Sequence, residues 1–379
     1  MKIDHALPLL GGLSPVQFMK RHWQKKPLLV RQAIPGFKPL LSRTELFALA
    51  AGEGVESRLL SQGQEGWRLR HGPIMRRALP PLSQPDWTLL VQGVDLHSDK
   101  VHALMQQFRF VPDARLDDVM ISYASDGGGV GPHFDSYDVF LLQAHGQRRW
   151  RIGRQKNLSL VDGLPLKILA NFTPEQEYVL EPGDMLYLPP RWAHDGVAVG
   201  ECMTYSVGFR QPARGELAHE LLQRLADEAA ELLDDTAYRD PGQAAVADPG
   251  RLPDPMLAFA RDALERALRD PRQLGMLLGE VMTEPKPQVW FEAQEFEAQY
   301  GERPAHGGIR LDRRTRMMYD THHLFINGES YRASGRDARL LRQLADGRGL
   351  SAAQVKALSD GASEFVSQWR QAGWLHDDE

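Results

Sequence analysis

The sequence predicts an α+β protein: a β-rich first half that closes into a barrel or jelly roll, then a helical layer, then a small unit of strands and helices. Three observations carry this. Between residues 55 and 209 most segments are short, β-rich and punctuated by Gly and Pro. From residue 216 to 233 the apolar residues return at helical spacing instead. Near the end, Asn327-Gly328 marks a hairpin turn, with three short helical segments behind it.

Taken in order, residues 14–23 read as a helix, with Ser14 as its cap and Pro15 in its first turn. A strand is expected over 27–30 and a helix over 42–51. Strands follow at 87–94, 119–124, 139–143, 148–152, 185–188 and 204–209, and His145 falls in a turn between two of them. The helix over 216–233 places Leu217, Leu221, Leu222, Leu225, Ala229 and Leu232 on one face. Residues 238–255, rich in Asp, Pro, Gly and Ala, read as a loop, and helices follow at 256–269 and 271–282. A thin helical layer cannot bury its apolar stripe alone; it packs on the barrel or on a second copy of itself. Beyond Pro285, strand material at 316–326 and 330–333 flanks the Asn327-Gly328 turn. Helices at 336–345, 351–358 and 364–373 complete a unit that resembles a winged helix.

The 379 residues are 42% hydrophobic and 25% charged, as in packed proteins, with a formal net charge of −5. That balance excludes a chain basic throughout that coats nucleic acid. Cys202 is the one cysteine. It allows no internal disulfide and no multi-thiolate zinc site, and fits a reducing cytoplasm. No cationic segment followed by a long apolar run opens the sequence, and no stretch approaches membrane-spanning length.

Chemistry concentrates at Pro132-His133-Phe134-Asp135 and, far downstream, at His194. Residues i and i+2 of an extended chain point the same way, so His133 and Asp135 can aim an imidazole and a carboxylate at one ion. Two histidines and one carboxylate form the facial set that holds non-haem Fe(II) and leaves positions open for O2 and a co-substrate. The glycine-rich run 127–131 is conformationally permissive and is expected as a mobile lip beside the metal. His194 closes a stretch that runs Gly183-Asp184, an apolar strand, Pro189-Pro190, then His194, which matches the second metal motif of the cupin superfamily. Arg191 stands where that motif has Gly.

An oxygenase of this type needs two further electrons, which decarboxylation of 2-oxoglutarate supplies, and the distal carboxylate of that co-substrate needs a cation inside the barrel. Alternation along 147–152 puts Arg148, Trp150 and Ile152 on one face and Arg149 and Arg151 on the other. Arg148 is then the inward arginine, and its planar fork suits a carboxylate. On the strand around 118–122, Asp118, Met120 and Ser122 share a face. Ser122 is placed to bond the co-substrate, Asp118 to meet a cationic substrate and Met120 to wall the cavity. Tyr137, two positions after Asp135, faces the metal side, and Ser206 lies on the strand after the third ligand.

At these residues the chain resembles the Jumonji-C ribosomal oxygenases. The likeness runs from His22-Trp23-Gln24-Lys25-Lys26-Pro27-Leu28, through Gly128 to Phe140, to Pro182-Gly183-Asp184 and Tyr205-Ser206-Val207-Gly208-Phe209-Arg210. It implies a cupin-like double-stranded β-helix catalytic domain over 1–212, a helical dimerisation region over 213–285 and a winged-helix-like domain over 286–379. It implies a homodimer that uses Fe(II), O2 and 2-oxoglutarate to hydroxylate the β-carbon of an arginine in a large-subunit ribosomal protein, the sixteenth of that series. His133, Asp135 and His194 are the implied iron ligands, and Arg148 with Ser122 the implied 2-oxoglutarate contacts. Asp118, Met120, Tyr137 and Ser206 match positions that would hold the substrate arginine, where a carboxylate pairs with a guanidinium and an aromatic ring stacks on its plane.

Two other readings compete. One keeps the oxygenase but changes the acceptor to a histidine, lysine or asparagine, or to a nucleic-acid base. The other is a non-catalytic metal-binding cupin sensor with a DNA-binding winged helix. The recognition-helix candidates at 351–358 and 364–373 carry few cations. Direct nucleic-acid binding is therefore not expected, and the arginines at 310, 313, 314 and 316 read as a solvated loop.

Overall fold

The computed structural model describes residues 2–269, 271–293 and 307–378. Its contacts divide the chain once, into Met1–Gln211 and Pro212–Glu379.

In the first unit, helix α1 (Pro15–Arg21) begins at a reciprocal cap between Ser14 and Gln17, and α2 (Arg43–Ala50) begins at the same device between Ser42 and Glu45. Strands β1 (Leu28–Val30), β2 (Ser57–Gly63), β3 (Gly66–His71), β4 (Trp87–Val91) and β5 (Leu116–Ala124) come before the metal motif, with helix α3 (Asp99–Gln106) preceding β5. After the motif come β6 (Val139–Arg154), β7 (Gln176–Leu180), β8 (Met185–Leu188) and β9 (Trp192–Phe209). Among the described residues these strands join one antiparallel sheet in the order β1-β8-β6-β9-β5-β4-β2-β3, with β7 added on β6.

Two expected strands, 139–143 and 148–152, are one strand, and His145 lies within it at a bulge rather than in a turn. β6 stays paired with β9 from Val139 opposite Gly208 to Arg154 opposite Trp192, with register shifts on both sides of His145. Such irregularities bend a strand without breaking its ladder. Alternate residues of β6 therefore feed two cores. Phe140, Leu142 and Ala144 join the large cluster with Phe18 of α1, Phe47 of α2 and Val101 of α3. Val139 and Leu141 join Trp150, Ile152, Leu180, Leu186 and Leu188 in a second cluster, which is the interior of the jelly roll.

The motif around Trp23 anchors this unit. Tyr187 donates its hydroxyl to the buried Asp138 at 2.5 Å and accepts the backbone N–H of Gln24 at 2.8 Å. The Gln24 side chain also donates to Asp138. Burial raises the Asp138 carboxyl above its usual range.

In the second unit, α4 (Arg214–Leu232), α5 (Asp254–Ala267) and α6 (Pro271–Thr283) precede β10 (Gly308–Leu311), β11 (Met317–Tyr319), β12 (Leu324–Ile326) and β13 (Glu329–Tyr331). The chain ends with α7 (Gly335–Gly347), β14 (Gly349–Leu350), α8 (Ala352–Val355), α9 (Asp360–Gln371) and β15 (Leu375–Asp378). Asn327 and Gly328 take φ values of +48° and +90° between β12 and β13, the left-handed pair that a tight hairpin requires. On α4, Leu225 is buried with Ala267 and Leu277, and Leu221 packs against them, but Leu222 is exposed. The side chains of Ala229 and Leu232 lie outside the described residues. The expected break at residue 285 does not separate two compact units. Gly279 of α6 sits so close to Phe325 of β12 that a Cβ there would come within 2.3 Å of its ring, and Arg224 of α4 donates to the carbonyl of Gly328. Among the described residues no helix is long and apolar enough to cross a membrane.

Candidate active site

His133 precedes β6 in an extended segment, and His194 is the third residue of β9. The two residues exchange both backbone hydrogen bonds, 3.0 Å from His133 N to His194 O and 2.8 Å in return. Their imidazole centroids are 4.2 Å apart. The carboxylate of Asp135 lies 3.7 Å from His194 Nε2, and the ligand-type atoms of His133, Asp135 and His194 all fall within 4.8 Å of one another. Among the described residues this is the group of three that geometry allows to hold an ion.

The backbone sets the chemical form of both rings. His133 Nδ1 is 2.8 Å from the carbonyl of Gly131, and His194 Nδ1 is 2.9 Å from that of Trp192. A carbonyl only accepts, so each Nδ1 donates and each Nε2 carries the lone pair a metal needs. Arg191 adopts a φ of +65°, a region that costs Gly nothing, and its N–H donates to the carbonyl of Asp135 at 2.8 Å. That turn ties the start of β9 to the Asp135 segment.

The glycine run is not a free lip. Gly127 donates its N–H to the carbonyl of Ala198, the N–H of Ala198 donates to the carbonyl of Gly128, and a Cβ on Gly128 would stand 2.3 Å from the carbonyl of Trp87. These glycines allow a close approach of backbone to β4 and β9.

Burial, and then the adjacent His133, push the His194 imidazole down to about 4 from its ordinary 6.5. Between those values the unfolded chain holds a proton that the native chain refuses. In chelator-treated protein the stability from this group is complete above pH 6.5 and lost as pH falls toward 4. The slope is at most about 1.4 kcal/mol per pH unit. Denaturant midpoints taken across that window would expose an error here by staying flat.

Inside the jelly roll, Arg148 is buried, with Ala198 opposite it on β9 and Leu180 on β7. Trp150 and Ile152 share its buried face, whereas Arg149 is exposed and Arg151 pairs with Asp195. Arg148 Nε lies 3.5 Å from Cys202 Sγ and its guanidinium 5.7 Å from the Trp150 ring centroid, but its Nη2 has no partner among the described residues. The Trp150 ring is in turn 5.8 Å from that of His194. The indole thus stands within 6 Å of both the guanidinium and the imidazole. Ala124, Ala198 and Cys202 make a small-residue cluster beside it, and Ser122 lies two residues from Ala124 on the same face of β5. Ser122 is buried and reaches the carbonyl of Thr204 at 3.4 Å.

Leu116 and Val119 both face the large core although they are three positions apart, because β5 carries an extra residue at the register shift between them. That irregularity turns Leu116 to the core, while the buried Asp118 keeps the face of Met120 and Ser122 by simple alternation. Ser206 of β9 stands opposite Met120 of β5 on one side and Leu141 of β6 on the other. Tyr137 is 40% exposed, yet burial first, and then the Asp135 and Asp118 carboxylates, raise its phenol well above the ordinary range. One face therefore gathers Asp118, Met120, Ser122 and Ser206, with Tyr137 near the carboxylates. Two further residues join it that the sequence did not mark. Gln92 follows the end of β4, and its amide meets Asp118; Arg58 of β2 meets Gln92 and Met120. Nothing local in the sequence distinguishes either from an ordinary polar strand residue.

Comparison with known proteins agrees with this geometry. A JmjC-domain family model matches residues 103–217, and a ROXA-like winged-helix model matches residues 266–376. The second match begins inside the region expected as a separate helical layer. The ribosomal protein uL16 3-hydroxylase of Escherichia coli (strain K12) is 36% identical over 276 residues, which cover 72% of each chain. A solved structure of E. coli YcfD superposes with a TM-score of 0.84 at 29% identity, covering 95% of this chain and 97% of that one. A second structure, of YcfD as a ribosomal oxygenase in complex with cobalt and 2-oxoglutarate, gives 0.80 at 29% identity, covering 96% and 97%.

Proposed function

Because this chain belongs to the JmjC ribosomal oxygenases, we propose that it is an Fe(II)- and 2-oxoglutarate-dependent dioxygenase that hydroxylates the β-carbon of an arginine in the large-subunit ribosomal protein uL16. The observation that carries the reading is the buried Arg148, with a nitrogen that makes no hydrogen bond among the described residues, on the strand that pairs with the His194 strand. A buried cation left in this state calls for an anion from outside the chain.

His133, Asp135 and His194 would hold the iron, and Arg148, with Ser122 nearby, the far carboxylate of 2-oxoglutarate. Bound there, iron and 2-oxoglutarate together supply the oxidising chemistry for a C–H bond. The protein's own part is placement and exclusion of water. The backbone bridge between His133 and His194 keeps their rings side by side, and the Nδ1 bonds keep each Nε2 available. Trp150 and Ile152 keep the interior apolar. Asp118 offers a guanidinium its counter-charge, Tyr137 offers a ring face, and Met120 and Ser206 line the space between them.

The test is mass spectrometry on a uL16 peptide incubated with purified enzyme, Fe(II) and 2-oxoglutarate. One oxygen atom should be gained on the arginine at its β-carbon. Oxygen added without 2-oxoglutarate, or on another residue, overturns the reading.

The region 213–285 is read as a dimerisation surface. Exposed Leu222 on α4, Leu257 and Leu264 on α5, and Leu274 and Leu278 on α6 support a second copy as its cover. A ribosomal-protein substrate and the lone, reduced cysteine support a cytoplasmic location. In the C-terminal unit Arg314 is held by Asp312 through both its Nε and Nη2, which supports a protein-docking or scaffold role over direct nucleic-acid binding.

A further inference from the structure

Gln92 lies where the interior face of the sheet turns toward Asp118. Its backbone N–H is bonded to the carbonyl of Glu56, which fixes the residue at the edge of β2 and β4. Its Nε2 donates to both oxygens of Asp118, at 2.7 and 3.0 Å. Its Oε1 accepts from Arg58 Nη2 at 3.3 Å, and the same Nη2 lies 4.0 Å from Met120 Sδ. The far side of Arg58 is turned to Glu56, 4.0 Å from its Nε. A cation on one side and a carboxylate on the other leave the amide one favourable sense, with oxygen toward Arg58 and nitrogen toward Asp118.

This arrangement has a consequence for charge. A cation in direct contact with Asp118 would neutralise the group that must attract a substrate guanidinium. An amide satisfies the buried oxygens and holds the carboxylate plane while leaving its negative charge in place. A carboxylate offers about four acceptor positions, so an amide holding it does not exclude a guanidinium fork.

We propose that Gln92 is a positioning residue for the substrate arginine, presenting the Asp118 carboxylate to the incoming guanidinium, with Arg58 keeping the amide in the required sense. The proposal rests on the assignment of Asp118 to an arginine substrate.

The experiment compares wild type, Gln92→Met and Arg58→Met on uL16 peptides carrying either arginine or citrulline at the target position. Methionine matches glutamine in length and has no amide. In Gln92→Met the KM for the arginine peptide should rise about tenfold, with kcat within about twofold and the KM for 2-oxoglutarate unchanged. The preference for arginine over citrulline should shrink, because citrulline has no charge to read. Arg58→Met should move the same quantities in the same direction by less, and it serves as the probe if Gln92→Met does not fold. An unchanged peptide KM overturns the proposal. So does a rise in both KM values with a fall in kcat, which marks general structural damage. If wild type fails to oxidise the arginine peptide, the substrate assignment falls and takes this proposal with it; if wild type succeeds and Gln92→Met matches it, this proposal alone falls.

Discussion

In the Arg148→Met enzyme the KM for 2-oxoglutarate should rise by about thirtyfold or more, while the protein without co-substrate should be as stable as the parent or more so. The two effects share one cause. Arg148 is buried between β7 and β9. Within the chain its polar contact is with a thiol sulfur, and its Nη2 goes unmatched among the described residues. Removing one partner of a buried, hydrogen-bonded charge pair costs roughly 2–5 kcal/mol, or about thirtyfold to several thousandfold in affinity. Before that pair forms, the lone buried charge is a liability. Replacing it with an apolar side chain of similar length relieves the desolvation cost, by about 1–2 kcal/mol if the methionine packs against Ala198 and Cys202. Co-substrate titrations and denaturant midpoints on the same preparations read both numbers. A variant that loses stability and keeps its KM would mean that Arg148 is a structural cation and that the anchor lies elsewhere. Arg148→Lys separates charge from geometry, because lysine keeps the charge and loses the fork.

Much of the site could be read in the sequence because it depends on local periodicity. The two-residue repeat placed Arg148, Trp150 and Ile152 together, and all three are buried while Arg149 is exposed. His133 and Asp135 needed only to point the same way, and their ligand atoms do converge although the segment is an isolated bridge rather than a regular strand. The Asn327-Gly328 turn needed only its two residues. What escaped depends on partners distant in sequence. The β2–β3 hairpin is polar and half-exposed, so its alternation is faint. The bends of β6 at His145 exist because β9 runs beside it throughout. The boundary expected at 285 does not stand out as a break in contacts, because the partner of α6 is β12, some forty residues on. Gln92 and Arg58 acquire meaning through contacts with Asp118 and Met120, which lie some thirty to sixty residues on in the sequence.

Asp135→Ala should lower affinity for a divalent metal by a hundredfold or more and take hydroxylation to background, with the unfolding midpoint little changed. The magnitude follows from what the site retains. Two neutral imidazoles remain, and the one anionic oxygen ligand is gone; altering groups merely behind a ligand already costs about tenfold to a hundredfold. That the fold should survive follows from which atoms do which work. The carbonyl of Asp135, not its carboxylate, accepts the N–H of Arg191 and ties that turn to the metal segment. The carboxylate is 22% exposed and stands 3.7 Å from His194 Nε2, so its removal leaves a small, solvent-reachable space rather than a sealed cavity. The backbone bridge between His133 and His194 is also untouched. Metal titration under anaerobic conditions, with manganese or cobalt as a stand-in for iron, measures the first effect, and peptide mass spectrometry the second. An alanine variant that binds metal at full strength would place the ion away from this carboxylate. One that binds weakly and also unfolds early would show that Asp135 holds the loop as well as the ion.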